Sequence, residues 1–228
     1  MMNSLSETRR HFHMYPELSF QEEKTAVFIK NWLSNKHILF QDGYAGHGIV
    51  ITIERENPDG KYLYFRADMD ALPIQEESDY PYRSKVDGVM HACGHDVHMT
   101  CLLGAIEEVY ANRQMLPVSV KFIFQPGEEK LPGGATLMLR DRAVIPEEAL
   151  GIIALHVYPE LEAGKVGFGS GAYMASSDEI YIDVIGKGGY GAMPQNCIDP
   201  ILIAARIIED SQSLISKNKN PFTPSVLT

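Results

Sequence analysis

Val118-Ser119-Val120-Lys121-Phe122-Ile123-Phe124 is followed directly by Gln125-Pro126-Gly127-Glu128-Glu129. The first segment is short and rich in β-branched and aromatic residues, which predicts a largely buried β-strand. Pro126 and Gly127 favour an irregular turn, so two adjacent glutamates could face one site beyond the end of this strand. Taken alone, such a pair is also compatible with an exposed acidic corner.

Similar strand-like segments lie at 48–54, 61–66 and 151–157, and Asn57-Pro58-Asp59-Gly60 between the first two favours a hairpin. Helices are predicted at 99–110 and 134–141. A third is predicted at 20–34, where Ser19-Phe20-Gln21-Glu22 has the pattern of a capping box. Strands that alternate with helices predict an α/β fold with a mainly parallel sheet flanked by helices.

The pattern changes after about residue 175. A strand at 179–186, a glycine-rich turn, a helix at 198–215 with Pro200 in its first turn, and a strand at 225–228 are predicted. One helix and two strands cannot close a core alone. We therefore predict two domains, a larger one at 1–175 and part of a small α+β domain at 176–228.

Composition limits the classes of partner. The chain has 228 residues, 45% of them hydrophobic, and a net charge of -10, so nucleic acid and anionic membranes are not expected to bind it. Small molecules are the expected partners. No apolar run approaches the length of a signal peptide or a membrane span, which predicts an intracellular, cytoplasmic protein. The odd number of cysteines predicts a reducing compartment, and Cys101 and Cys197 are predicted to be packing residues.

Groups that can bind metals or move protons cluster near three predicted strand ends. Asp68 and Asp70 follow one strand, Glu128 and Glu129 another, and His156 ends a third; the carboxyl edge of an α/β sheet is a usual ligand-binding place. His91-Ala92-Cys93-Gly94-His95-Asp96-Val97-His98 adds a thiol and imidazoles. Each element has a structural alternative, namely a capped turn, a core histidine or a buried thiol. Together they favour a site for zinc, manganese or a similar ion.

These motifs resemble the metal-dependent amidohydrolase family of aminoacylase, hippurate hydrolase, acetyl-diaminopimelate deacetylase and auxin-conjugate hydrolase. The resemblance covers the whole chain and rests on segments 87–98, 125–129, 155–157 and 186–189, together with the opening 9–19. It implies a zinc-exopeptidase-like catalytic, metal-binding domain at 1–175 and a partial lid or dimerisation domain at 176–228.

The resemblance also implies residue roles. Two divalent ions, manganese or zinc with nickel and cobalt as further candidates, would be bridged by Cys93. Glu128 would be the general base, and Asp70 would hold a ligand imidazole in the correct tautomer. The substrate would be an N-acyl amino acid whose amide bond is hydrolysed, and the lid would form a homodimer. The terminal metal ligands would be His95, Glu129 and His156.

Two departures from the family pattern stand out. Tyr190 and Gln195 occupy the places of two lid histidines, the first of which contacts the substrate carbonyl in the family, so slower turnover is expected. Family chains are also far longer and contain a returning segment with one more ligand histidine. Impaired activity is therefore expected if the chain is complete at Thr228.

Two other hypotheses remain at the level of the sequence. Cys93 could be the nucleophile of a thiol hydrolase, with His91, His95 or His98 as its base. That hypothesis leaves Glu128, Glu129 and His156 without a role. The chain could also be a catalytically inactive remnant that binds metal or ligand.

Overall fold

A computed structural model describes residues 4–171, 178–220 and 225–228. Contacts divide the chain into two compact units, Met1–Glu160 and Leu161–Thr228. The predicted domain boundary at 175/176 lies outside the described residues. The helices are α1 (Leu5–Met14), α2 (Glu23–Asn35), α3 (His95–Ala111), α4 (Gly134–Arg140) and α5 (Pro200–Lys217), and the strands are β1 (Gln41–Tyr44), β2 (Gly48–Ile53), β3 (Tyr62–Asp68), β4 (Ser119–Gln125) and β5 (Ala149–Ala154).

The first unit contains one sheet with the order β1-β2-β4-β3-β5. Strand β3 is parallel to β4 and β5, whereas β2 is antiparallel to β4 and to β1. The α/β fold is thus confirmed, but the sheet is mixed, and the prediction of parallel pairing holds for β4-β3-β5. The predicted hairpin of β2 and β3 is wrong, because β4 lies between them and takes up the hydrogen bonds that would join them.

Apolar side chains of the sheet alternate between two faces. Ile49, Ile51 and Phe122 point into a cluster with α1, α2 and α3. Val50 and Ile123 point to the opposite face, where they pack with Met138 of α4. Because successive strand residues face opposite sides, this alternation buries both faces of the central strands.

The edge strand β5 differs from the central strands. Leu150 is 60% exposed and Ile152 is 57% exposed. Helices therefore cover the two faces of the sheet at β2, β4 and β3, and the predicted covering does not extend to β5.

Helix α2 begins three residues later than predicted, and the predicted capping box is wrong. The Glu17 carboxylate accepts hydrogen bonds from the backbone N–H groups of Lys24 and Thr25, at 3.1 and 2.8 Å, and so caps the first turn. The Ser19 hydroxyl is used elsewhere, since it donates to Asp70 Oδ2 at 2.6 Å. A capping-box pattern considers only residues within one turn of the helix start, so it predicts neither the Glu17 acceptor nor the contact of Ser19 with Asp70.

The second unit contains α5, which Asp199 caps by accepting hydrogen bonds from the N–H groups of Ile201 and Leu202. Pro200 occupies its first position, as predicted. The predicted strands at 179–186 and 225–228 are wrong for the described residues of this unit, where strand pairing is limited to the isolated bridge between Lys187 and Ile198. An extended segment without a neighbour to complete its hydrogen bonds does not form a strand. Among the described residues, helices long and apolar enough to cross a bilayer were not found.

Candidate metal centre and active site

The parallel strands place the predicted site residues at one edge of the sheet. β3 ends at Asp68, β4 at Gln125 and β5 at Ala154, and the segments that follow these ends carry Asp70, the Glu128-Glu129 pair and His156. Carboxyl ends of parallel strands lie together, so residues far apart in sequence meet here.

Helix α3 starts at this edge because of a glycine. Gly94 precedes the helix with a φ of +94°, a left-handed conformation that other residues rarely adopt. A β-carbon at Gly94 would lie 2.4 Å from Val157 Cγ2. The missing side chain thus lets Cys93 and His95 approach the segment that carries His156.

His95 is buried and its ring orientation is fixed. Its Nδ1 lies 2.9 Å from the backbone oxygen of Asp70, and because a carbonyl oxygen can only accept, Nδ1 carries the proton. In the neutral ring, Nε2 therefore carries the free lone pair. It lies 3.6 Å from Asp68 Oδ2 and 3.7 Å from Glu129 Oε1.

His156 has the same arrangement. Its Nδ1 donates to the backbone oxygen of Val157 at 2.8 Å, which leaves Nε2 as the lone-pair nitrogen, and this atom lies 3.2 Å from Cys93 Sγ. The ligand atoms of Cys93, His95 and His156 all lie within 4.8 Å of one another. Two imidazole lone pairs and one sulfur atom therefore share one small volume.

His98 is a nearby histidine that cannot serve in the same way. Its Nε2 accepts a hydrogen bond from the Val157 backbone at 3.0 Å, and its Nδ1 donates to Asp68 Oδ1 at 2.7 Å. Both nitrogens are thus occupied, although His98, Asp68 and His95 are close enough to form a ligand group by distance alone. His98 instead fixes the segment next to His156.

Asp70 connects the two halves of the site. Its Oδ2 accepts from Ser19 Oγ and, at 2.9 Å, from the backbone N–H of Glu129. Burial alone would raise the pKa of Asp70, but hydrogen bonds from His95, Ser19 and the Glu129 backbone outweigh it and lower the pKa to about 2. Asp70 is therefore an anion that holds the glutamate loop against His95.

The remaining groups lie in a negative field. Burial raises the pKa of Cys93 to about 12, and the Glu129 charge adds to the effect. The pKa of Glu128 is also raised, first by burial and then by the charges of Glu129 and Asp68. Glu129 is only 22% exposed, and its buried Oε1 has no hydrogen-bond partner among the described residues. A sulfur, two imidazole nitrogens and an unsatisfied carboxylate oxygen fit a divalent cation, which would offset the negative charge.

Two residues that sequence analysis did not assign to the site, Glu22 and Phe20, contact the loop that carries Glu128 and Glu129. The buried Glu22 accepts a hydrogen bond from Gly127 N at 2.7 Å. Gly127 has a φ of +58°, and a β-carbon there would lie 2.3 Å from the Phe20 ring. The Pro126-Gly127 signal predicted an irregular turn, but nothing in the sequence predicted its support by the segment before α2.

The structure brings together the four residues predicted to follow strand ends, Asp70, Glu128, Glu129 and His156, with Cys93 and His95 at the start of α3. Their roles as ligands and base stay predictions. Tyr190 lies in the second unit and is 73% exposed. Its predicted contact with substrate also stays a prediction.

Comparison with known proteins identifies the family of the chain. The sequence model of Peptidase family M20/M25/M40 matches residues 64–223. An N-acyl-L-amino acid amidohydrolase of Geobacillus stearothermophilus is 41% identical over 220 residues, covering 96% of this chain and 59% of that protein. The chain thus spans somewhat more than half the length of the curated relatives it matches.

Solved structures give the same result. A crystal structure from methicillin-resistant Staphylococcus aureus has a TM-score of 0.79 and 31% identity, covering 98% of this chain and 59% of that one. The YXEP protein of Bacillus subtilis, described as a dinuclear metal binding peptidase from the M20 family, has a TM-score of 0.68 and 40% identity, covering 73% of this chain and 46% of that one. The fold is that of M20 peptidase catalytic domains. The chain belongs to Peptidase family M20/M25/M40.

Proposed function

We propose that this chain carries most of the metal centre of an amidohydrolase that cleaves the amide bond of N-acyl amino acids. The observation that carries the proposal is the pair of imidazoles, His95 and His156, whose Nδ1 protons are both bound to backbone oxygens. Both rings therefore direct Nε2 lone pairs towards Cys93 and Glu129. Histidines in a stable core have no need of this arrangement, whereas metal-ligating histidines commonly donate their other nitrogen in this way.

The centre would hold two divalent ions, which is supported by the description of the YXEP protein as a dinuclear metal binding peptidase. Cys93 is the proposed bridging ligand, and His95, Glu129 and His156 are the proposed terminal ligands. Sulfur, nitrogen and oxygen donors in one site suit manganese or zinc, with nickel and cobalt as further candidates. When bound, such ions supply Lewis acidity that polarises the amide carbonyl and lowers the pKa of water.

Glu128 is the proposed general base. One oxygen of its carboxylate lies within 4.8 Å of a ligand atom of both His95 and Glu129, and Glu128 is more exposed than Glu129. A raised pKa brings it closer to neutrality, so it can accept a proton from the attacking water and return it to the leaving amine. Asp70 keeps His95 in the tautomer that this chemistry needs.

The substrate is proposed from the relatives. The Geobacillus relative is named for N-acyl-L-amino acids, which supports a small N-acyl amino acid as substrate. Tyr190 would contact the substrate carbonyl from a lid that also forms a homodimer, and the protein would act in the cytoplasm. The domain division is proposed as a catalytic part at 1–175 and a partial lid at 176–228.

A neighbouring pair of variants tests the assignment. Glu128→Gln should retain bound metal but lower the hydrolysis of N-acetyl amino acids at least about 100-fold, because only proton transfer is lost. Glu129→Gln and Cys93→Ser should lower metal content itself. Metal content is measured by plasma mass spectrometry and turnover by amine release, each after chelation and after reloading with manganese or zinc.

Activity of Glu128→Gln near that of the wild type would refute its role as base, and unchanged metal content in Cys93→Ser would refute its role as ligand. If the unaltered chain binds metal without hydrolysing any N-acyl amino acid, the alternative of an inactive metal-binding fragment is correct. Thiol catalysis predicts activity that resists chelator and is lost on alkylation of the metal-free protein. The structure gives Cys93 a neighbouring imidazole, since His156 Nε2 lies 3.2 Å from its Sγ, but burial raises the pKa of the Cys93 thiol to about 12, which opposes formation of the nucleophilic thiolate. Of the three histidines considered as its base, His98 has both nitrogens occupied.

A further inference from the structure

The opening segment contains Arg9-Arg10, which has no part in the proposed chemistry. Both arginines lie on α1 and line a cavity of about 350 Å³ between α1, the first turns of α3 and Tyr82. The metal-ligand cluster is separate, because the cavity lining contains none of the proposed ligands. Its volume is at the lower end of the range for small-molecule sites.

The two guanidinium groups converge on one aromatic ring. Arg9 Cζ lies 5.5 Å and Arg10 Cζ 4.9 Å from the centre of the Tyr82 ring. Tyr82 is itself stacked on Tyr80, with an interplanar angle of 5°. Adjacent helix residues point about 100° apart, so the helix alone does not bring these side chains together. The ring provides a common surface for both cations.

Only one of the two charges is neutralised. Arg9 Nε forms an ion pair with the buried Asp96 at 2.9 Å, although the contact is not aligned as a hydrogen bond. Within the described ranges, no carboxylate lies within ion-pair distance of Arg10. A protein with ten excess negative charges thus keeps an uncompensated cation beside a second arginine at a concave surface.

The apolar part of the cavity lining indicates what the uncharged part of a ligand should be. Leu5 and Val97 contribute aliphatic surface next to the Tyr82 ring. A purely inorganic anion would leave this surface uncovered, whereas an organic anion can pair with Arg10 and pack its body against it.

We propose that this cavity binds a small organic anion, with one carboxylate or phosphate group on Arg10 and a compact apolar body between Leu5, Val97 and Tyr82. The proposal is independent of the amide hydrolysis proposed above. It can fail or succeed whether or not the metal centre is active.

Cys101 provides a chemical probe of ligand binding in the cavity. The prediction that it is a packing residue is wrong, because it is exposed on α3 and lines the cavity. The rate at which the Cys101 thiol is alkylated therefore depends on the charge of the cavity and on whether a ligand occupies it. The same thiolate attacks the carbon of negatively charged iodoacetate or of neutral iodoacetamide and displaces iodide, so the ratio of the two rates cancels the effect of the thiol pKa and reports the local charge. Cys197 in the second unit is the internal reference, and mass spectrometry of peptides separates the sites.

The rate ratio of iodoacetate to iodoacetamide should be at least about threefold higher at Cys101 than at Cys197 at low salt. Arg10→Gln should lower it to the reference value, and Arg10→Lys should largely preserve it. The matched control is Arg113→Gln, which removes another arginine that lies 4.3 Å over a tyrosine ring, that of Tyr110, at the far end of α3. It should leave the ratio unchanged. Far-ultraviolet circular dichroism and melting curves show that each variant is folded.

Ligand protection tests the chemistry of the occupant. Benzoate or phenyl phosphate should slow the alkylation of Cys101 by iodoacetamide at least about threefold, while benzamide, their neutral analogue, should not. The head group that protects at the lower concentration identifies the preferred anion. Equal protection by benzamide, a ratio at Cys101 equal to that at Cys197, or protection that survives Arg10→Gln would overturn the proposal.

Discussion

Glu22 shows how one side chain can couple folding to the candidate site. Its carboxylate is fully buried, accepts the Gly127 N–H, and has a second oxygen without a partner among the described residues. Burial raises the pKa of Glu22 from about 4.5 to about 7, despite hydrogen bonds that act in the opposite direction. Near neutral pH the Glu22 carboxyl therefore changes charge next to the loop that carries Glu128.

Glu22→Gln should remove a pH-dependent loss of stability. A raised pKa in the folded state means that the stabilising contribution is complete below about pH 4.5 and is lost as the pH rises through about 7. The free energy of unfolding of the wild type should thus fall relative to that of the variant between pH 5 and 8, by up to about 3 kcal/mol.

Urea unfolding at both pH values measures this difference, and Glu23→Gln is the matched control because Glu23 is the exposed neighbour. The Glu23 variant should follow the wild type at both pH values. Parallel pH profiles for the wild type and Glu22→Gln would show that Glu22 is not the group responsible.

At the level of elements, the junction before α3 decides whether the ligands meet. Gly94 has a positive φ and is in close contact with Val157, and His95 and His156 lie next to these two residues. The junction is also fixed by His98, which holds the Val157 backbone. Gly94, His95 and His98 at the start of α3 thus pack as one unit with His156 and Val157, which follow β5.

Gly94→Ala should destabilise the protein by about 2–4 kcal/mol, because the left-handed conformation and the clash with the stiff, branched Val157 both add cost. Metal affinity should fall as well, since His95 and His156 are displaced. The control is Gly88→Ala, where φ is +69° but no atom lies within 4 Å of the added carbon. Chemical denaturation and metal titration measure both effects, and equal losses in the two variants would contradict the packing argument.

At the level of the whole molecule, buried apolar surface is distributed unevenly. The central strands lie between two apolar clusters, whereas β5 and α5 keep large apolar side chains exposed, as Ile152 and Ile201 show. The first unit combines this core with a concentration of negative charge at its carboxyl edge. A bound cation should therefore change the stability of the unit that holds the site.

Manganese or zinc at about 100 times its dissociation constant should stabilise the folded state by about 2.7 kcal/mol. For a chain of this length the melting temperature should rise by roughly 5 to 10 °C, and a chelator should reverse the rise. His156→Gln should abolish it, whereas His37→Gln, at an exposed histidine in the turn after α2, should not. Calorimetry that shows the same shift in both variants would mean that the metal binds elsewhere.

Sequence patterns predicted the central part of this architecture well. The strand at 118–124, the turn at Pro126-Gly127 and the cluster of ligand-type residues after strand ends are all present. They were predictable because strand burial and turn geometry depend on neighbouring residues. The capping box at Ser19 and the β2–β3 hairpin were wrong, because each depends on a partner far along the chain, namely Asp70 and β4.

The sequence by itself determined the α/β class, the sites of most helices and strands, and the residues that could bind a metal. Those features depend on local periodicity and on residue type. Only the tertiary structure decided the place of β4 between β2 and β3, the occupied nitrogens of His98, the free Nε2 atoms of His95 and His156, and the support of the glutamate loop by Glu22. These depend on hydrogen bonds between segments that are distant in sequence, and the position of each such bond exists only once the chain has folded.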